Sequence, residues 1–572
     1  MLPEKPLTSR NNWITDIVVL STLFLIFYTF CLGSYPLFVP DEGRYAEVAR
    51  EMVASGDYIT PRVNGVAFLD KPALYYWIQA AAIHIFGINE WGLRLFPALF
   101  GILGCIVTYL CGRRLFDRRT GFISAIILAT TPLYFSGAHY INLDLEVAVL
   151  ISCTLLFFIC GLQCTGKSRF YFLITAYLFA ALAFLTKGLI GIAFPAMIGG
   201  AWIILLNKWK ELLNIHLVKG LVLFIVITLP WYILVQKANP EFLHYFFVTQ
   251  QVSRFLSSGE FNNPTPIWFY LPIVLIGFFP WSGFIIQVMG KNIRRIWQAR
   301  HTYQTELFLL LWTIIVFVFF SIPRSKTITY ILPIFPPLAL LTGKYLSDMW
   351  NHAGQKSIFY SRIAIGITGI LFAIALLSLS HYHWIDLSGK FKPYLICIAI
   401  ACIIGTLMTL SLRKPKNLMP LFITLTAWSA IFLLILIMGV KFLNQSSTKP
   451  LAAELKKVIQ PQDEVINYFK FYQDLPMYLE RRITLVANWN SPDIPYNDNW
   501  VRELWYGMPF QNTEDWLINE DKFWERWNSD KRVFVFLNEN YLDQFKAHVS
   551  KYYFLGSNKD IYLVSNKPAV SN

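Results

Sequence analysis

The chain has 572 residues, of which 55% are hydrophobic, 17% aromatic and only 15% charged, with a formal net charge of +14. An ordinary soluble domain carries about 25% charged residues, so this balance excludes that class and makes the bilayer the main solvent. The positive excess gathers in short loops between apolar runs, as an anionic inner leaflet would favour, and this excludes nucleic acid as its partner.

A helix needs about 20 apolar residues to cross a hydrocarbon core. The first such run, near 14 to 32, is long and lacks a small-residue cleavage pattern, so it reads as a retained helix rather than a secretory signal. Further runs lie near 95–112, 121–136, 146–164, 170–186, 189–206, 217–235, 267–289, 305–322, 328–346, 361–379, 393–411 and 418–440. The expectation is a polytopic α-helical membrane domain over 1–440 with about thirteen transmembrane helices. Alternate loops carry basic clusters: Arg113, Arg114, Arg118 and Arg119; Lys208, Lys210 and Lys219; Lys291, Arg294, Arg295 and Arg300; Arg413, Lys414 and Lys416. By the positive-inside rule these loops, with Lys5 and Arg10, are cytoplasmic. An odd number of crossings then puts the tail after 440 on the other side.

Between the first two runs lies a polar stretch, FVPDEGRYAEVAREMVASGDYITPRVNGVAFLDKPALYYW, over 38–77. It holds Asp41, Glu42, Arg44 and Tyr45 at one end and Asp70, Lys71 and Pro72 at the other. Arg44, Arg50, Arg62 and Lys71 violate the positive-inside rule here and need a reason. On the same expected face, Asp144 and Glu146 open the fourth helix, where Asp144 could meet Asp41, and Lys187 sits in the short turn FLTKGLIG. The external loops, 33–94 and 237–266, are joined by RSKTITY, which adds Arg324, Lys326 and Tyr330; the second loop supplies Gln251 and Arg254. Taken singly, the acids suit a helix N-terminus and the lysines suit snorkelling to the interface. Together, Arg44, Lys71, Lys187, Arg254 and Lys326 suit an anionic ligand, because Arg and Lys pair with phosphate through charge-assisted bonds.

From about 441 the composition changes. Strand-like runs DEVINYF, RRITLVAN, RVFVFLN and DIYLVSN alternate with helical candidates TKPLAAELKKVIQ and ENYLDQFKAHVSKYY, which predicts a soluble C-terminal α/β domain over 441–572. The eight cysteines all lie in or beside apolar segments, so neither a disulfide framework nor a zinc cluster is expected.

The ordered motifs PDEGRYAEVAREM, FLDKPALYYW, INLDLEVA, LTKGLIG, the Arg254-Phe255 pair ahead of an aromatic helix, and SKTITYILPIFPPLAL resemble the bacterial ArnT-type glycosyltransferases over roughly residues 10 to 345. These are polyprenyl-phosphate-sugar transferases of the GT-C fold, related to protein O-mannosyltransferases. The tail resembles the exported domain of those enzymes more weakly and assigns no acceptor. The resemblance implies a sugar donor on undecaprenyl phosphate, used at the periplasmic face of the bacterial inner membrane, with no nucleotide sugar. It implies transfer of 4-amino-4-deoxy-L-arabinose or a similar sugar to lipid A, the lipopolysaccharide modification associated with polymyxin resistance. Carried over by residue, Asp41 is the catalytic carboxylate, Glu42 its neighbour and Asp144 the second acid. Arg44, Lys71, Lys187, Arg254 and Tyr330 would hold donor or acceptor phosphate, with Tyr45, Asp70 and Lys326 in the same site.

Two departures stand near that site. The family commonly has Glu-Lys-Pro where this chain has Asp70-Lys71-Pro72, and a His where this chain has Gln251. In the family those two positions can hold a divalent metal; Gln is a poor ligand beside His, so no metal and no other cofactor is assigned. The acceptor is lipid A or another component of the cell envelope. A protein O-glycosyltransferase using the same donor class, and a transporter or flippase of lipid-linked sugars, remain as alternatives. A transporter would place its ionisable groups at the bilayer midplane, on broken helices in repeated halves, whereas here they gather in loops on one face.

Overall fold

The structure is a computed structural model that describes residues 13–253, 265–381, 389–412, 417–443, 446–497 and 499–568. By internal contacts the chain forms two compact units. One comprises Met1–Leu32, Arg94–Pro230 and Asn263–Val440, and the other Gly33–Leu93, Trp231–Asn262 and Lys441–Asn572. One cut falls between Val440 and Lys441, and the stretches 33–93 and 231–262 are grouped with the tail.

The first unit is helical. Among the described residues eight helices are long and apolar enough to cross a membrane: Glu90–Leu115, Leu143–Leu162, Gly166–Lys187, Leu217–Ala238, Gln304–Ser321, Lys356–Leu379, Lys392–Ser411 and Met419–Val440. The chain is a multi-pass membrane protein. Val222, Val226, Ile367 and Leu371 are exposed on these helices, as lipid-facing positions should be. Small residues set the closest helix approaches: a Cβ on Gly121 would stand 2.5 Å from the Tyr109 carbonyl.

Thirteen apolar runs do not become thirteen long straight spans. Proline accounts for three of the differences, since it lacks the N–H that continues the helical ladder. The run expected over 121–136 divides into Arg118–Ala129 and Pro132–Gly137. At the break, Ser429 donates its hydroxyl to the Thr130 carbonyl, and the Trp281 indole N–H donates to Thr130 Oγ1 at 3.1 Å. The run over 267–289 turns by 109° between Tyr270–Gly277 and Trp281–Met289, at Pro280. The run over 328–346 starts as a 3-10 helix, Ile328–Ile334, and becomes α-helical only over Phe335–Asp348, around Pro333, Pro336 and Pro337. Trp13–Thr29 and Ile190–Leu205 are apolar but only 17 and 16 residues long.

The second unit is built on sheet. A short hairpin pairs β1 (Arg62–Val63) with β2 (Val66–Ala67). The tail forms a six-stranded sheet from β3 (Glu464–Tyr468), β4 (Thr484–Val486), β5 (Leu517–Ile518), β6 (Val533–Asn538), β7 (Tyr553–Asn558) and β8 (Ile561–Ser565), in the order β5-β4-β3-β6-β8-β7. The first four positions are parallel, and β8 and β7 join antiparallel. Ile466, Tyr468, Val486, Val533, Val535 and Leu537 pack with Phe523, Trp527 and Phe545 into its core. The four strand-like runs of the sequence are β3, β4, β6 and β8. The helix expected to run through 539–553 is confined to Leu542–His548, because Tyr553 onward pairs with β8 as an edge strand.

Candidate functional site

In the second unit the helix Asp41–Ser55 carries the first group of candidates. Its first turn is held by its own acid: Glu42 is buried and accepts the Phe38 N–H at 2.8 Å. Asp41 points the other way, with 35% of its side chain exposed, and pairs with Arg44 one turn on. Arg44 also pairs with Glu503, from the tail helix Trp500–Trp505. Its guanidinium lies 5.4 Å from the Tyr45 ring centroid and 5.9 Å from that of Phe68. Burial works against the Arg44 charge, but Glu503, Tyr45, Asp41 and Asp70 outweigh it and raise the pKa above the ordinary arginine range. Arg44 is therefore a fixed cation that orients two carboxylates.

Beside it, Asp70 accepts the Tyr245 hydroxyl at 2.5 Å, Gln250 donates to that same hydroxyl at 2.7 Å, and the Tyr245 ring packs 5.2 Å from Tyr506 of the tail. Burial, then the Asp70 charge, holds the Tyr245 phenol well above its ordinary range, so it keeps its proton and donates a hydrogen bond to Asp70. Lys71 donates to the Asp70 carbonyl at 3.1 Å. Tyr45, Tyr75 and Tyr76 form an aromatic wall, with centroids 5.6 to 6.2 Å apart. Two of the unit's three stretches, 33–93 and 231–262, are pinned together by the Trp231 indole on the Ile59 carbonyl at 3.0 Å and by Asn239 on Thr60 at 2.8 Å.

Asp144, Glu146, Lys187, Lys326 and Tyr330 belong to the first unit. Asn142 caps the helix Leu143–Leu162 by accepting the Asp144 N–H at 2.8 Å, which sets Asp144 in the first turn. The buried Asp144 carboxylate pairs with Lys187 and accepts the Thr329 hydroxyl. Lys187 Nζ stands 4.1 Å from the centroid of the Tyr330 ring, a cation–π arrangement. Asp144, Lys187 and Tyr330 thus form one cluster from three segments. Glu146, also buried, has no hydrogen-bond partner for either carboxylate oxygen among the described residues. Lys326 points elsewhere, donating at 3.2 Å to the Thr265 carbonyl, the Thr265 hydroxyl and the Pro266 carbonyl. Burial lowers its pKa.

Arg44 and Lys187 each hold a carboxylate, and Lys326 binds a neighbouring loop, so an anion arriving at these groups must compete with Asp41, Glu503 or Asp144. Arg254 lies outside the described residues. Among the described residues no three His, Cys, Asp or Glu side chains converge as a metal ligand set, and Asp70 is occupied by Tyr245. Sequence reasoning missed Glu503, Tyr245 and Tyr506. Nothing in the spacing connects Glu503 with Arg44, 459 positions away.

Comparison with known proteins agrees with the motifs. A family profile described as dolichyl-phosphate-mannose-protein mannosyltransferase matches residues 70–234. A relative from Proteus mirabilis named undecaprenyl phosphate-alpha-4-amino-4-deoxy-L-arabinose arabinosyl transferase 2 is 32% identical over 362 residues, 62% of this chain and 64% of its own. The Edwardsiella ictaluri transferase of the same substrate name is 31% identical, over 60% of this chain and 61% of its own. The chain therefore spans less than two thirds of the length of these relatives. The crystal structure of ArnT from Cupriavidus metallidurans bound to undecaprenyl phosphate superposes with a TM-score of 0.85 at 25% identity, covering 99% of this chain and 100% of that one. The apo form of that ArnT superposes with a TM-score of 0.82. The resemblance read from the sequence holds, and the chain has the ArnT-like GT-C fold.

Proposed function

We propose that the chain is an integral glycosyltransferase of the bacterial inner membrane, with its N-terminus cytoplasmic and residues 441–572 periplasmic. It moves 4-amino-4-deoxy-L-arabinose, or a closely similar sugar, from undecaprenyl phosphate to a phosphate of lipid A. The observation that carries this reading is the end-to-end likeness to an ArnT crystallised with undecaprenyl phosphate.

In the reaction an acceptor phosphate oxygen attacks the anomeric carbon. The bond from that carbon to the donor's phosphate oxygen breaks, and its electron pair leaves with undecaprenyl phosphate. The acceptor is already an anion, so no base must remove a proton. Positive charge develops on the sugar ring, and a carboxylate beside it stabilises that charge. Asp41 is suited to this work, being the accessible acid of the first turn and paired with Arg44. Asp144 is the second acid, and Lys187 and Tyr330 beside it receive phosphate. Lys71 and Arg254 bind phosphate as well. Tyr45, Asp70 and Lys326 shape the site, while Glu42 keeps the turn that presents Asp41.

The test is mass spectrometry of lipid A from cells with and without the protein, and from cells carrying Asp41→Asn. The expected result is a pentose-sized increment that requires Asp41, with transfer lowered by about 10²- to 10³-fold in the variant. No increment, in cells shown to make the lipid-linked donor, moves the acceptor to protein or another glycan. Undiminished transfer by Asp41→Asn removes Asp41 from the mechanism.

A further inference from the structure

We propose that Tyr478, together with Asp474, is a positioning residue that sets the turn presenting Asp41; the inference rests on the catalytic reading of Asp41. The Tyr478 hydroxyl accepts the Leu37 N–H at 2.8 Å and donates to Glu90 at 3.0 Å. One phenol thereby joins the tail to both ends of the stretch 33–93. Lys449 reinforces the junction, pairing with Glu90 at 2.5 Å. The next backbone N–H, that of Phe38, is held by Glu42, so two successive amides just before Asp41 have fixed partners.

Asp474 secures the other side of the same turn. It is buried and accepts the Ser447 hydroxyl at 3.0 Å and the Thr448 N–H at 2.8 Å, tying the starts of the tail helices Lys449–Lys456 and Leu475–Leu479 together. Its own backbone then lies against Gly43, between Glu42 and Arg44. A Cβ on Gly43 would stand 2.6 Å from the Asp474 nitrogen and 2.8 Å from the Gln473 carbonyl carbon. Such an approach admits glycine alone, which accounts for a poor helix former inside the first turn of this helix. The tail thus grips backbone atoms on both sides of Asp41. Its contacts fix where that carboxylate points without touching a substrate.

The experiment uses the full-length protein and Tyr478→Phe, which keeps the ring and removes the hydroxyl. Hydrogen exchange at the amides of Leu37 to Arg44 is expected to accelerate while the sheet β3–β8 keeps its protection. In the transfer assay kcat is expected to fall by about 10- to 100-fold with the donor KM unchanged. Gly43→Ala, which pushes the turn from the other side, should give the same pattern and stands in if Tyr478→Phe does not fold. Unchanged exchange at 37–44 in these variants overturns the proposal. So does faster exchange spread through the whole tail with kcat and KM moving together, since that marks a loss of stability alone. Exchange needs no substrate, so a wild-type protein that transfers nothing defeats the proposed function while the exchange result still decides the clamp.

Discussion

Glu51 stands one helical turn beyond Glu47, with Arg50 between them, and all three are buried. Arg50 gives Glu47 two hydrogen bonds of 2.7 Å, leaving Glu51 3.7 Å away, where it accepts the Gly65 N–H at 2.6 Å. One guanidinium thus faces two carboxylates. Burial first, and the Glu47 charge next, push Glu51 from an ordinary 4.5 up to about 8. The folded state then keeps a proton that the unfolded chain releases, so this site's contribution to stability is complete below about 4.5 and is lost as pH rises through about 8. Thermal unfolding at about pH 5 and about pH 9 should show a smaller loss in Glu51→Gln than in wild type; equal losses would mean that Glu51 does not titrate there. The same residues answer part of the charge puzzle in the sequence. Arg50, which the positive-inside expectation left without a reason, neutralises an acid of its own helix, and Arg62 pairs with Asp57 at 3.4 Å and donates to Gln511 at 2.9 Å. An acid three residues from Arg50 was legible in the sequence; Gln511 was not.

The hairpin β1–β2 follows from a signal local to the sequence. Asn64-Gly65 between Val63 and Val66 is a strong two-residue turn signal, and both residues take positive φ, +51° and +79°. Asn64 does more than turn the chain. Its side chain exchanges two hydrogen bonds of 2.8 Å with the Ile483 backbone just before β4, imitating a strand neighbour. Asn64→Ala loses both bonds and puts a side chain without local hydrogen bonds in a left-handed backbone, so a loss of about 1–3 kcal/mol is expected, read from chemical unfolding of the full chain in detergent. A cost near zero would show that the pair is incidental. Elsewhere, apolar runs were legible because each segment's transfer free energy is local. The breaks at Thr130 and Pro280 were less so, since a run of apolar residues says how much helix can be buried and not where proline interrupts its ladder. The end of the helix at His548 was not legible, because it is imposed by pairing of Tyr553–Asn558 with β8.

On the scale of the molecule, the second unit is assembled from three stretches far apart in sequence. A chain ending at Val440 would lose Glu503, Asp474, Tyr478 and Ile483, the partners of Arg44, Gly43, Leu37 and Asn64. Local stability depends on such contacts. Limited proteolysis of that truncated protein should therefore cut within 33–93 at least about tenfold faster than the full chain; equal rates would show that the loop folds without the tail. Composition and periodicity by themselves determined the membrane class, the position of the acidic and basic tract, and four strands of the tail, because each depends on the free energy of a short segment in water or lipid. Which carboxylate meets which cation was decided only by the tertiary structure. Arg44 pairs with Asp41 one turn away and with Glu503 at a separation of 459 residues. The first partner follows from helical spacing, and the second from the closure of the chain around a shared core, which no local pattern encodes.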